Sequence, residues 1–175
     1  NDWYDIIILF LIDGGFIGRG EAAPSIRYNE TSDRILSVLK NKITLPDDCS
    51  DREIIWNHIL PSLEGIKALE AAFSMALWDW WGQKKEKPIS ELLSLDCSNL
   101  PLTSYTIAIG DLDEIGQKVD EADPYSILKV KLGTPDKDKE IIKEIRNITD
   151  KLIRVDANEG WHYSEALELC NWLSE

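Results

Sequence analysis

Ile127-Leu128-Lys129-Val130-Lys131-Leu132-Gly133 is the stretch whose reading decides the fold. Side chains alternate across a strand, so Leu128, Val130 and Leu132 share one face while Ile127, Lys129 and Lys131 share the other. A buried parallel strand is expected to be apolar on both faces. Two lysines on one face break that rule, and such breaks tend to fall at functional sites. The competing reading is an edge strand whose lysines guard against aggregation. The continuous apolar face opposite, with helical segments on both sides, favours a site.

Working outward, the sequence alternates between strand and helix. Strands are expected over Thr103–Ile109, Ser126–Leu132 and Leu152–Asp156, and helices over Asp111 to about Glu121, Asp136 to about Thr149, and Ser164–Leu173. The strands recur about every 24 residues, from Thr103 to Ile127 to Ile153. Such alternation implies a parallel sheet with right-handed crossovers. Spacing alone leaves a (β/α)8 barrel and a doubly wound sheet both open.

Upstream of Leu100-Pro101 the pattern differs. The β-branched apolar run Ile6–Ile12, the turn residues Asp13-Gly14-Gly15 and the return Phe16-Ile17-Gly18 read as a hairpin. A loop is expected from Gly20 to Thr31, then a helix from Thr31 or Ser32 with Ile35, Leu36 and Leu39 on one face. Ser50 and Glu53 suggest a capping box before Ile54, and Pro61 should stop that helix. Ile66, Leu69, Phe73, Ala76, Leu77 and Trp80 recur at helical spacing, with Gly82 as the expected terminating residue. Trp78, Trp80 and Trp81 point in different directions around that helix, which favours packing over a carbohydrate platform. Pro88 should open a short helix through Leu93.

The 175 residues suffice for one large core or two small ones. Acidic residues outnumber basic ones 32 to 19, for a net charge of −13, which argues against nucleic acid as a partner. Cys49, Cys97 and Cys170 are widely spaced and read as reduced thiols. The seven-residue run Ile6–Ile12 is far short of the roughly 20 residues that cross a bilayer. No signal peptide is visible, but Asn1 is not a start residue, so the chain is expected to begin partway into its gene product.

Two ammonium groups at i and i+2 repel, and desolvation acts in the same direction, so a lysine here should lose its proton more readily than usual. A neutral lysine can act as a general base toward a weakly acidic carbon-bound proton. Arg154 and Asp156 share a face at the end of the next strand, where ligands sit in open sheets and barrels alike. A carboxylate there suits magnesium, though it could equally cap a turn or pair with a lysine. Gly14-Gly15 and Gly18-x-Gly20 lie in a hairpin, so nucleotide-binding glycine motifs are absent. His58 belongs to a surface helix, and His162 reads as an exposed loop residue after Asp156.

Lys129-x-Lys131 on one strand and Asp156-Ala157-Asn158 on the next resemble the enolase superfamily, within its muconate-lactonizing subgroup. The nearest likeness is to dipeptide epimerases such as L-Ala-D/L-Glu epimerase. Gly20-Glu21-Ala22-Ala23-Pro24-Ser25-Ile26-Arg27-Tyr28-Asn29-Glu30-Thr31 resembles their Arg-Tyr loop, with Asn29 in place of the usual glycine. Ala71–Gly82 resembles their Ala-rich, Trp-Asp helix, and Thr103-Ser104-Tyr105-Thr106-Ile107 their first barrel strand.

The resemblance implies an α/β fold: an α+β capping domain over residues 1–100, its first strand missing, then over 101–175 a partial (β/α)8 TIM-type barrel of about three β/α units. Three units alone leave open sheet edges, so the chain is expected to be a fragment, with a second catalytic lysine and further metal ligands downstream. The implied activity is that of an isomerase: a Mg2+-dependent epimerase or racemase that inverts the α-carbon of a dipeptide by 1,1-proton transfer through an enediolate. Lys131 would be the acid/base on one face, with Lys129 beside it and Asp156 a metal ligand. Arg27, Tyr28 and Thr106 would contact substrate, and Arg27 suits an acidic substrate side chain, although a capping-domain salt bridge is an equal alternative. The same scaffold carries o-succinylbenzoate synthases, N-acylamino acid racemases and muconate cycloisomerases, and a non-catalytic domain is the remaining alternative. The expected partner is a small-molecule dipeptide, with no nucleic acid and no membrane. A cytoplasmic homo-oligomer is expected.

Overall fold

A computed structural model of the chain describes residues 5–108, 110 and 114–174. Two compact units divide it, Asn1–Ser98 and Asn99–Glu175.

The first unit begins with the expected hairpin. Strands β1 (Ile7–Asp13) and β2 (Phe16–Ala22) pair antiparallel, with Asp13 opposite Phe16 across the two-residue turn Gly14-Gly15. Strand β2 runs on to Ala22, further than expected, because Ile7 pairs with Ala22 and extends the ladder into the presumed loop. Helices α1 (Ser32–Asn41), α2 (Arg52–Ile59), α3 (Lys67–Lys85) and α4 (Ile89–Leu92) follow. Thr31 caps α1 by accepting from the Arg34 N–H. The cap of α2 is Asp51, which accepts from the Glu53 N–H at 2.7 Å, and not Ser50, whose own N–H donates to Asp48.

Helix α3 organises this unit. Its buried stripe, which includes Leu69, Ala72, Phe73, Leu77 and Trp80, packs with Ile35, Ile55, Ile59 and Leu63. The hairpin lies directly on it. A Cβ on Gly18 would collide with the Ala76 carbonyl oxygen, and one on Gly20 with that of Ala72. Helix side chains also serve the backbone of β2: Asp79 accepts from the Arg19 N–H at 2.8 Å, and Gln83 both accepts from and donates to Ile17. Gln83 thus pins the last turn of α3 to the hairpin, and the helix runs past Gly82. It ends at Glu86, left-handed at φ 52°, instead of at the glycine. The three clustered tryptophans pack against the unit: Trp80 is buried, and Arg52 stacks over Trp78 at 3.8 Å.

The second unit is a parallel sheet of β3 (Ser104–Ile107), β4 (Ile127–Lys131) and β5 (Leu152–Asp156) in that order. Helices α5 (Ile115–Glu121), α6 (Pro135–Ile148) and α7 (Tyr163–Leu173) follow the three strands in turn. The sequence-derived end of the first strand at Ile109 and start of the next helix at Asp111 lie outside the described residues. Tyr105, Ile107, Leu128, Val130, Ile153 and Val155 form one face of the sheet, in a core with Ile115, Val119, Ile141, Ile142 and Ile145 of the helices. The opposite face carries Ser104, Thr106, Ile127, Lys129, Lys131, Arg154 and Asp156, as strand parity requires. No helix among the described residues is long and apolar enough to cross a membrane.

The close approach of β2 to α3 is testable. Gly20→Ala should destabilise the protein by about 1–3 kcal/mol, the usual cost of overpacking. An unchanged urea midpoint would show that the hairpin does not sit against Ala72 as described.

Candidate active site

The register of the parallel sheet brings the singled-out residues of the second unit together. Thr106 lies opposite Lys129, and Lys129 opposite Arg154; one step along, Lys131 lies opposite Asp156. Lys131 and Asp156 are the last residues of their strands. The cluster therefore stands at the C-terminal edge of the sheet, the end at which ligands sit in α/β folds.

One carboxylate organises it. Asp156 Oδ2 accepts from Lys129 Nζ at 2.8 Å and from Lys131 Nζ at 3.0 Å. Its other oxygen, Oδ1, accepts from the Asn158 N–H at 3.0 Å. Asn158 then returns to the cluster: its Oδ1 accepts from Lys131 Nζ at 2.9 Å. Asn158 and Glu159 are both left-handed, at φ 48° and 65°, which turns the chain back over the strand end. Of the alternatives open for Asp156, two are realised together: Oδ2 pairs with both lysines, and Oδ1 caps the Asn158 turn. The repulsion expected between the two ammonium groups is offset by their common counter-charge. The side chains keep contact with water, at 40% exposure for Lys129, 28% for Lys131 and 29% for Asp156.

The hydrogen bond from Lys129 holds the Asp156 carboxyl well below the usual carboxylate range, helped by Lys131 and then by the Asn158 N–H. An anionic Asp156 can give a hard cation one oxygen ligand. Among the described residues no group of three or more His, Cys, Asp or Glu side chains is placed to hold a metal. The described residues thus offer magnesium the single carboxylate of Asp156 and not a complete site.

Arg27 and Tyr28 belong to the first unit, in a short 3-10 turn, Ile26–Tyr28. Arg27 lines a cavity of about 650 Å³ together with Asp5, Ile6, Pro24, Ser25 and Glu30. Tyr28 is 74% exposed. Thr106 is exposed on β3, on the same face as the lysines. His162 is the N-cap of α7, with its N–H donating to Glu165 at 2.8 Å, and His58 approaches Thr44 Oγ1 at 3.4 Å.

Three further side chains hold the loops, and the strand pattern did not reveal them. Asn158 was visible only as part of Asp-Ala-Asn. Glu30 is buried and its Oε1 accepts from the Lys67 and Ala68 N–H groups, so it caps α3 from the loop that carries Arg27. Asp138, 1% exposed, accepts from Gly133, Thr134 and Trp161. In sequence Asp138 looks like an ordinary helix-end charge and Glu30 like a loop carboxylate. Only the tertiary donors distinguish these two.

No family model matches the chain. It is 33% identical over 168 residues to the L-Ala-D/L-amino acid epimerase of Flavobacterium johnsoniae, covering 95% of this chain and 49% of that protein. A protein of the same description from Pedosphaera parvula is 37% identical over 164 residues, covering 92% of this chain and 47% of its own length. The solved structure of a dipeptide epimerase from Cytophaga hutchinsonii, complexed with Mg and the dipeptide D-Ala-L-Val, matches with a TM-score of 0.77 at 26% identity. That match covers 97% of this chain and 48% of the other. The chain thus resembles the dipeptide epimerases of the enolase superfamily in sequence and in fold. Its architecture, an α+β unit followed by three β/α units of a barrel type, matches theirs. The chain spans about half the length of the curated relatives it matches.

The lowered pKa of Asp156 fixes a sign. A carboxyl depressed on folding contributes stability above its unfolded pKa of about 3.9, and loses it as pH falls toward the folded value. Urea midpoints should therefore fall between about pH 5 and pH 3, and Asp156→Asn should flatten that slope. Equal slopes for the two proteins would contradict the shared ion pair.

Proposed function

We propose that this chain is part of a magnesium-dependent dipeptide epimerase, an isomerase that inverts an α-carbon by 1,1-proton transfer. The observation that carries the reading is the Lys129/Lys131–Asp156–Asn158 cluster at the C-terminal edge of a parallel sheet. Relatives named epimerases, each matched along nine-tenths or more of this chain, support it.

The chemistry needs a base at the α-carbon and positive charge where the carboxylate gains electron density. Lys131 is the acid/base at one face, exchanging the α-proton at Nζ. Its bond to Asn158 Oδ1 gives that nitrogen a second fixed partner beside Asp156. Lys129, two residues along the same face, sets a second ammonium beside it. That positive charge stabilises the developing enediolate. Magnesium, when bound, supplies further positive charge opposite the substrate carboxylate, with Asp156 as one of its oxygen ligands. A second acid/base group on the opposite face completes the inversion.

In this reading residues 1–100 form the capping domain and 101–175 the opening part of the barrel. Arg27 and Tyr28 of the loop and Thr106 of β3 contact the substrate, with the Arg27 guanidinium suited to an acidic side chain. The protein works in the cytoplasm as a homo-oligomer on a small-molecule substrate.

The test is solvent deuterium exchange at the α-carbon across a dipeptide library, using the full-length gene product with magnesium. Exchange is expected with at least one dipeptide class and should vanish on chelation. Absence of exchange with every dipeptide would sink the proposal.

A further inference from the structure

Asp138 and Glu30 are the two buried charged residues recorded among the described ones, and neither takes part in the chemistry proposed above. Glu30 caps α3 within the first unit. Asp138 stands next to the cluster. It lies in the first turn of α6, directly after the strand that ends in Lys131, and only 1% of it is exposed. A buried carboxylate is costly unless its lone pairs are filled. Here all the donors come from the two loops that shape the cluster.

Asp138 Oδ2 accepts from Trp161 Nε1 at 2.6 Å. The Gly133 N–H is shared between its two oxygens at 3.2 and 3.1 Å, and the Thr134 N–H donates to Oδ1 at 3.0 Å. Gly133 and Thr134 follow Lys131 by two and three residues. Trp161 follows Asp156 and Asn158 in the loop after β5. The loops also touch directly: the Leu132 N–H donates to the Asp156 carbonyl at 2.9 Å. A Cβ on Gly133 would stand 2.6 Å from the Ala157 carbonyl oxygen, and one on Gly160 2.6 Å from the Gly133 Cα. Two glycines thus allow the loops to meet, and one buried carboxylate fixes the distance between them.

We infer that Asp138 is a positioning residue for the Lys131–Asp156–Asn158 cluster, clamping the loop after β4 to the loop after β5 through Gly133, Thr134 and Trp161. The inference rests on the dipeptide-epimerase reading for its catalytic consequence, and on the geometry alone for the clamp. Lys131 reaches Asn158 only while the two loops keep their separation. A shift of about 1 Å at reacting groups can cost on the order of 10²-fold in rate. Asp138→Asn is the sharp variant, because an amide fills the same volume but can accept from these donors through one oxygen only.

The experiment uses the full-length protein with magnesium and compares wild type, Asp138→Asn and Trp161→Phe. Steady-state kinetics on the most active dipeptide are measured beside amide hydrogen exchange. For Asp138→Asn, kcat should fall on the order of 10²-fold, with KM within about twofold. Amide exchange should quicken in residues 132–134 and 157–161 and not in the body of α6. Trp161→Phe should show the same pattern with a smaller loss, and it stands in if the first variant fails to fold. Unchanged kcat, or a loss of protection spread evenly through α6, would overturn the inference and leave Asp138 a plain stabilising group. Should the wild-type protein turn over no dipeptide, the functional reading fails, and hydrogen exchange alone decides the clamp: faster exchange confined to the two loops supports it, and any other pattern overturns it.

Discussion

The cluster depends on one carboxylate shared between two ammonium groups. Lys129 and Lys131 project from the same face of β4, and nothing in that strand balances their charge. Asp156, brought level with Lys131 by the parallel register, takes both on a single oxygen and uses the other to hold the Asn158 turn. A slip of one residue between β4 and β5 would turn Asp156 to the helix side of the sheet, into an apolar core. Charge, register and core are therefore one constraint. The apolar face of Leu128, Val130, Ile153 and Val155 sets the register, and the register assembles the polar face.

The division of labour explains what the sequence disclosed. Strand parity separated Leu128, Val130 and Leu132 from Lys129 and Lys131, because a period of two is local and needs no tertiary knowledge. The same holds for the hairpin, where Gly14-Gly15 and the β-branched run before it left little choice. What the sequence did not disclose arises between distant residues. Helix α3 passes Gly82 because Gln83 bonds the backbone of Ile17, 66 residues away. The cap of α2 is a local exception: two adjacent residues could each cap it, and the Asp51 carboxylate, not the Ser50 hydroxyl, meets the Glu53 N–H. The burial of Asp138 follows from a tryptophan 23 residues downstream. No periodicity reports such contacts.

Fold and activity stand on different footing here. A barrel scaffold hosts many reactions, so the architecture alone would not select one. The selection comes from the residue types at the strand ends: two lysines, a carboxylate with a strongly depressed pKa, and an amide that orients one of the lysines. Such a group can exchange a proton and face a substrate carboxylate.

The central claim, that Lys131 exchanges the α-proton at one face only, is tested most directly by following deuterium incorporation from each epimer separately. In the full-length Lys131→Ala variant, exchange should be lost from the epimer whose α-hydrogen faces Lys131 and should persist, at reduced rate, from the other. Exchange from both epimers at the wild-type rate would contradict the account.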